Sequence, residues 1–239
     1  MKKNIFYPAL LLTTISSIAF IAPVKHTGDL KGAWGINENG KETTVVFQDG
    51  YVSFSVFNKA QKLFVHTYGG PYRTEGNKLK YTIEYHTSDK QQIGSIKESA
   101  FSIADDALQM DINGAKHTFS RIDNGSGPLA GNWRITGRMQ NDKMSEIQRS
   151  DRKTLKLLSG TRFQWMAINP ATKEFFGTGG GTYTFKDGKY TEYIEFFSRD
   201  SSRVGAVLAF DGKVEGDKWE HSGKSSKGDP IHEIWSRDK

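Results

Sequence analysis

Cysteine is absent from all 239 residues. Its absence excludes disulfides, thiolate metal ligands and a lipid anchor on an N-terminal cysteine. The fold must therefore rest on its packed core, and a chain of this length can supply one. Charge of one sign is scarce as well. The net charge is +6, and Lys2 and Lys3 contribute two of those charges. Residues 23–125 carry 12 basic and 12 acidic residues, and residues 126–239 carry 19 and 15. The basic residues alternate with acids and form no stripe, so nucleic acid is not expected as a partner. Serines 201, 202 and 225 lack a nucleophile-elbow context. The run Gly179-Gly180-Gly181 precedes a strand rather than a helix. It therefore predicts a bulge or a close backbone approach, not a phosphate loop.

Long apolar runs are confined to the N-terminus. A basic start, Met1-Lys2-Lys3, leads into an apolar stretch from Ile5 to Ile21, with Ser17-x-Ala19 as the best cleavage site and Ala22 as a second. This pattern predicts a signal peptide over residues 1–22, with an uncleaved anchor as the alternative. No other segment is apolar enough to span a membrane, so no membrane insertion is expected after cleavage. An exported chain without disulfides suits a bacterial periplasm or exterior better than a eukaryotic secretory route.

What the chain does have is a repeat of itself. Residues 46–94 align with residues 157–205 at a constant shift of 111. Asn58, Ala60 and Lys62 fall on Asn169, Ala171 and Lys173, and Gly69, Gly70 and Tyr72 fall on Gly180, Gly181 and Tyr183. Leu30-Lys31-Gly32-Ala33-Trp34 matches Leu129-Ala130-Gly131-Asn132-Trp133, and Phe119-Ser120-Arg121 matches Trp235-Ser236-Arg237. Duplication predicts two like domains, residues 23–125 and 126–239, joined by the turn-rich stretch from Asp123 to Pro128. Alternating strands and turns at Asp49-Gly50, Asp187-Gly188 and Asp211-Gly212 predict antiparallel barrels or sandwiches. One helix is expected in the insertion of the second copy. Ser145-x-x-Gln148 reads as a capping box, and Met144, Ile147, Leu155 and Leu158 can share a helical face.

Each copy opens with Gly-x-Trp and closes with an aromatic residue followed by Ser-Arg. This pattern resembles the lipocalin and fatty-acid-binding superfamily of β-barrels. The second copy also resembles lipocalin-like domains of unassigned function in secreted bacterial proteins. It does so through Arg162-Phe-Gln-Trp165, Gly179-Gly-Gly-Thr-Tyr183, Asp187-Gly-Lys-Tyr-Thr-Glu192, Trp219-Glu-His-Ser-Gly223 and Glu233-Ile-Trp-Ser-Arg237. The fold class expected is all-β, with two tandem antiparallel lipocalin-like barrels. The resemblance implies that Trp34 pairs with Arg121 and Trp133 with Arg237 as structural cation–π contacts at the closed ends. It implies a barrel that could hold a small molecule, and it implies no reaction.

The hairpin around Asp187-Gly188 raises the question of function. In the first copy Leu79, Tyr81, Ile83 and Tyr85 form the apolar inner face. The shift of 111 puts Tyr190, Glu192, Ile194 and Phe196 on the same face, so Glu192 points inward and Glu195 faces water. An inward carboxylate must be paired, hydrogen-bonded or ligand-facing. His117 and Glu233 occupy equivalent inward positions on the two last strands, and Trp219 and His221 share a face. Trp165, Glu192, Phe196, Trp219, His221 and Glu233 are thus the candidate ligand-binding residues. The competing reading makes the polar members satisfied core groups. An acidic cavity with a histidine would favour a neutral or cationic group. No catalytic residue, metal site or cofactor is assigned, because two carboxylates and one histidine are generic. Three functional readings stand. The first is an exported binder of a partly apolar small molecule, with its cavity in the second barrel and the first barrel mostly structural. The second is an interaction module with filled barrels whose outer surface, with outward-facing Tyr193 and Phe197, binds a protein or glycan. The third is an acid/base enzyme using His221 and a carboxylate.

Overall fold

The computed structural model describes Met1 and residues 29–238; the rest of the expected signal peptide lies outside the described residues. Nine strands form the first half: β1 Gly32–Glu38, β2 Lys41–Gln48, β3 Tyr51–Asn58, β4 Leu63–Glu75, β5 Lys78–Thr82, β6 Tyr85–His86, β7 Ile96–Ala104, β8 Ala107–Ile112 and β9 Ala115–Asp123. Nine more form the second: β10 Gly131–Gln140, β11 Lys143–Glu146, β12 Lys153–Leu158, β13 Arg162–Asn169, β14 Glu174–Lys186, β15 Lys189–Phe197, β16 Val207–Glu215, β17 Lys218–Lys224 and β18 Pro230–Arg237. Each half closes on itself as an eight-stranded antiparallel barrel, by pairing of β1 with β9 and of β10 with β18. The short β6 and the β11 hairpin are additions to those barrels. Among the described residues no helix is long and apolar enough to cross a membrane.

The helix expected around Met144 to Leu158 does not form; among the described residues the helical turns are two single 3-10 turns, at Lys90–Gln92 and Ser201–Arg203. Asn141 and Asp142 both adopt positive φ, at 49° and 58°, and turn the chain into a hairpin that pairs Gly137 with Glu146. Once that turn forms, Ser145 is spent in strand pairing and cannot cap a helix. Leu155 and Leu158 then lie on opposite faces of β12, one in each of two separate apolar clusters. The turn expected at Asp211-Gly212 also falls inside a strand, where these residues pair with Ser222 and His221.

Both barrels close their Trp ends alike. Arg121 lies 4.0 Å over the Trp34 ring, and Arg237 lies 4.0 Å over Trp133. The indole N–H groups donate to Leu30 and Leu129 carbonyls at 2.8 and 2.7 Å. The rings are fully buried and anchor the cores.

A β-bulge breaks the alternation on which the inner face was assigned. Gly181 pairs with Ile194 and Gly180 with Phe196, so Glu195 is the extra residue. A Cβ on Gly181 would stand 2.0 Å from the Tyr193 carbonyl, so the bulge requires a glycine there. Gly70 does the same in the first barrel, 2.0 Å from the Thr82 carbonyl. The glycine run thus meets its expected role. Beyond the bulge every side chain changes face. Phe197 turns inward and Phe196 outward, and in the first barrel Tyr85 turns outward and His86 inward.

Those outward faces do not meet water. They pack against each other and join the two barrels. Val46, Tyr51 and Tyr85 from one barrel cluster with Leu155, Leu157, Met166 and Ile168 from the other. Gln164 sits within this cluster. Its amide nitrogen donates to Thr67 and Thr178 hydroxyls, each at 3.0 Å, and its oxygen accepts from Ser55 at 2.9 Å and from Ser53. Glu195, expected to face water, is buried here between Arg162 and Lys59. Glu84 accepts from Tyr51 at 2.9 Å and pairs with Lys153 of the second barrel at 2.8 Å. Side chains that alternate outward on one copy become interior when the copies dock.

Candidate functional site

The second barrel encloses an opening of about 280 Å³. Its apolar wall includes Trp165, Phe197, Leu208, Phe210 and Ile231; its polar residues are Arg138, Lys156, Glu192, His221 and Glu233. Trp165 on β13 meets Phe197 edge-to-face at 5.5 Å. The polar groups come from β10, β12, β15, β17 and β18, five of the eight strands of the barrel.

Glu192 is buried, but it is not alone. Lys156 Nζ lies 2.8 Å from its Oε1, and the Tyr190 hydroxyl donates to the same oxygen at 2.9 Å. Burial, followed by the Glu192 charge, pushes the Tyr190 hydroxyl well above its ordinary range, so it stays a donor. The ammonium is held among four rings, at 5.0 Å from Tyr190, 5.1 Å from Trp219, 5.2 Å from Trp235 and 5.7 Å from Phe210. Glu233 accepts two bonds from Arg138, at 2.7 and 3.2 Å, and one from the Trp235 indole at 3.2 Å. The site is therefore not acidic. Each carboxylate has its own cation, and the expectation of a net negative cavity is corrected.

His221 differs from these paired groups. It is 1% exposed, and neither ring nitrogen has a hydrogen-bond partner. Its Nδ1 lies 3.7 Å from Glu233 Oε2, beyond hydrogen-bond reach. Burial, then the nearby Lys156 charge, holds it well below the ordinary imidazole range. It is a neutral ring with one donor and one acceptor, both uncommitted, at the edge of a cavity.

Phe196 and Trp219 stand elsewhere. Phe196 lies outside the barrel, 4.8 Å from Phe57 and 6.0 Å from Phe64 of the first barrel, because the bulge reverses its face. Trp219 is fully buried beside the site, packed on Tyr190 at 4.9 Å and on Trp133 at 5.8 Å. Phe197, expected outside with Tyr193, lines the cavity instead; Tyr193 is exposed.

Lys156 and Arg138 went unassigned at the sequence level. Thr154, Lys156 and Leu158 alternate as a strand would, but the helix expected there concealed that face. Comparison of the two copies isolates the site more sharply. At the shift of 111, Lys156 replaces Val45, Glu192 replaces Tyr81 and His221 replaces Met110. The pairings agree: Trp34 faces Val45 as Trp133 faces Lys156, and Met110 faces His117 as His221 faces Glu233. Three apolar core positions of one barrel are polar in the other.

The first barrel, expected to be mostly structural with Tyr81 and Tyr85 on its inner face, holds an opening of about 450 Å³ lined by Tyr81, His66, His86 and His117 among others. Tyr85 leaves that interior through the bulge. Among the described residues no group of three or more His, Asp or Glu side chains is arranged to hold a metal ion. No family model matches the chain, and no curated protein matches it. The architecture itself identifies the chain as two closed eight-stranded barrels in tandem, consistent with the lipocalin-like form.

Proposed function

We propose that this protein binds a small, partly apolar molecule in the second barrel. The observation that carries the reading is His221, whose two ring nitrogens lack partners beside a cavity. Unsatisfied buried polar groups cost about 1–3 kcal/mol each. The equivalent position of the sister barrel carries Met110, so the fold does not need a histidine there. The apolar wall of Trp165, Phe197, Leu208 and Ile231 would bury the body of the ligand. His221 would meet a polar end able to accept or donate. Since both carboxylates are already neutralised, that end is uncharged, such as an alcohol, ketone or amide. Export is part of the same reading: the pattern of residues 1–22 and the lack of cysteine support a cleaved leader.

Native mass spectrometry of the chain purified from its own host tests both parts. The expected result is a mature mass that begins near residue 20 or 23, plus a small molecule released on denaturation. The variant His221→Met should carry less of it. A bare chain from the host, together with no quenching of tryptophan fluorescence by a panel of neutral apolar alcohols and ketones, would overturn the binding reading.

A further inference from the structure

The cavity of the first barrel carries two cations and two carboxylates like its sister, but its charges are not paired with one another. Lys41 on β2 and Lys97 on β7 line it, and neither makes an ion pair or a side-chain hydrogen bond among the described residues. Lys97 is half-buried. The facing acids are Glu38 on β1 and Asp89 before the 3-10 turn. Asp89 is committed to its own turn: Oδ1 accepts from the Gln91 amide and Oδ2 from the Gln92 side chain, both at 3.0 Å. Glu38 is exposed at the rim, opposite Lys41. His86 Nδ1 accepts from the Asp89 amide at 3.0 Å, which places the proton of the neutral ring on Nε2. His66 and His86 stack on Tyr68 within 19°, at 6.0 and 5.0 Å, and His117 lies against Phe119 at 6.2 Å. Tyr81 adds an uncharged hydroxyl, pushed up to about 12 by burial, and burial pushes Tyr68 higher still.

An unpaired, half-buried ammonium and imidazole donors above a floor of rings are suited to an anion on a flat apolar body. We propose that the first barrel is a second, separate site that takes a small aromatic carboxylate or sulfonate against Lys97 and His86, and that it holds this anion more tightly as pH falls. The pH effect arises because each imidazole that gains a proton adds a positive charge beside the anion. Burial, then His86 and Lys41, hold His66 below the ordinary imidazole range, and burial outweighs the opposing Asp89 carboxylate to hold His86 below it too, so the tightening lies on the acid side of about pH 6.5.

The test uses two fluorescent probes that share an aromatic body, 8-anilinonaphthalene-1-sulfonate and the uncharged N-phenyl-1-naphthylamine. Both are titrated into the full chain at pH 7.5 and 5.5, with circular dichroism showing that it remains folded at each. The sulfonate should bind about fivefold more tightly at the lower pH, and the uncharged probe should not change. Lys97→Met should weaken the sulfonate about tenfold, and Lys97→Arg, which keeps the charge, should retain it. Equal sulfonate affinity at both pH values would overturn the proposal. So would an unchanged affinity in Lys97→Met, or uptake lost in Lys156→Val/Glu192→Tyr but kept in Lys97→Met.

Discussion

Replacing Lys156 by Val and Glu192 by Tyr, separately and together, installs in the second barrel the residues found at the same places in the first. The wild-type pair is deeply buried, with side chains 7% and 5% exposed and 2.8 Å apart. Removing one partner of such a pair strands a charge and costs about 3–5 kcal/mol. That range applies to Lys156→Val, which leaves Glu192 with the Tyr190 hydroxyl as its remaining partner. Glu192→Tyr leaves the ammonium among four rings, and cation–π attraction reduces the cost to roughly 2–4 kcal/mol. The double variant strands nothing, and the first barrel shows that Val and Tyr pack at these positions. It should lie within about 2 kcal/mol of wild type, on either side. The coupling between the two changes is then about 3 kcal/mol or more. Urea unfolding followed by tryptophan fluorescence suits the measurement, because Trp133, Trp165, Trp219 and Trp235 lie in the second barrel and Trp34 alone in the first. Circular dichroism on the same samples checks that one transition is being followed. In a chain of this size each single variant should also lower the melting temperature by roughly 10 °C. Simple additivity would refute the reasoning, since it would mean that the two charges do not act as a pair. A cost below about 1 kcal/mol for Lys156→Val would refute the burial of the ammonium as a charged group.

Two further outcomes follow from neighbouring features. With its folded-state pKa depressed, His221 favours the fold above about pH 6.5, and that contribution is lost as pH falls toward the folded value. Between pH 6.5 and 5.5 wild type should lose up to about 1.4 kcal/mol more than His221→Met, and parallel urea curves for the two proteins would show that the ring is not held neutral. Gln164→Leu removes three hydrogen bonds between the barrels and a fourth to Thr178 within the second, though the hydroxyls keep other partners such as the Tyr85 hydroxyl and the Phe54 carbonyl. It should cost about 1–3 kcal/mol and quicken proteolysis in the segment from Asp123 to Pro128; unchanged digestion would mean that the barrels are held by their apolar contacts alone.

The features visible in the sequence are those that local spacing or the internal repeat can carry. The two Gly-x-Trp openings with their late arginines, the strand pattern and the inward position of Glu192 all follow from setting one copy against the other. The missed features depend on what a strand meets across space. A single extra residue at Glu195 reverses Phe196 and Phe197, and alternation alone gives no sign of it. Glu84 and Glu195 look like solvent-facing groups until the other barrel arrives. Lys156 was hidden by an apolar spacing that fits a helix face as well as a strand, and the Asn141-Asp142 turn decided between them. His86 follows the same rule: alternation groups it with Glu84 on the outer face, and the bulge in the first barrel turns it into the cavity.

Gln164 and Ser53 are the same position in the two copies, and they touch each other. A residue that meets its own counterpart lies on the axis relating two subunits. In a symmetric pair of identical barrels that axis would bring two glutamines together, competing for one space, or two serines, leaving the space half empty. Joining the barrels in one chain lifts the requirement that a surface match itself. One copy keeps a short hydroxyl, the other extends an amide into the room this leaves, and neither barrel alone carries both halves of the fit.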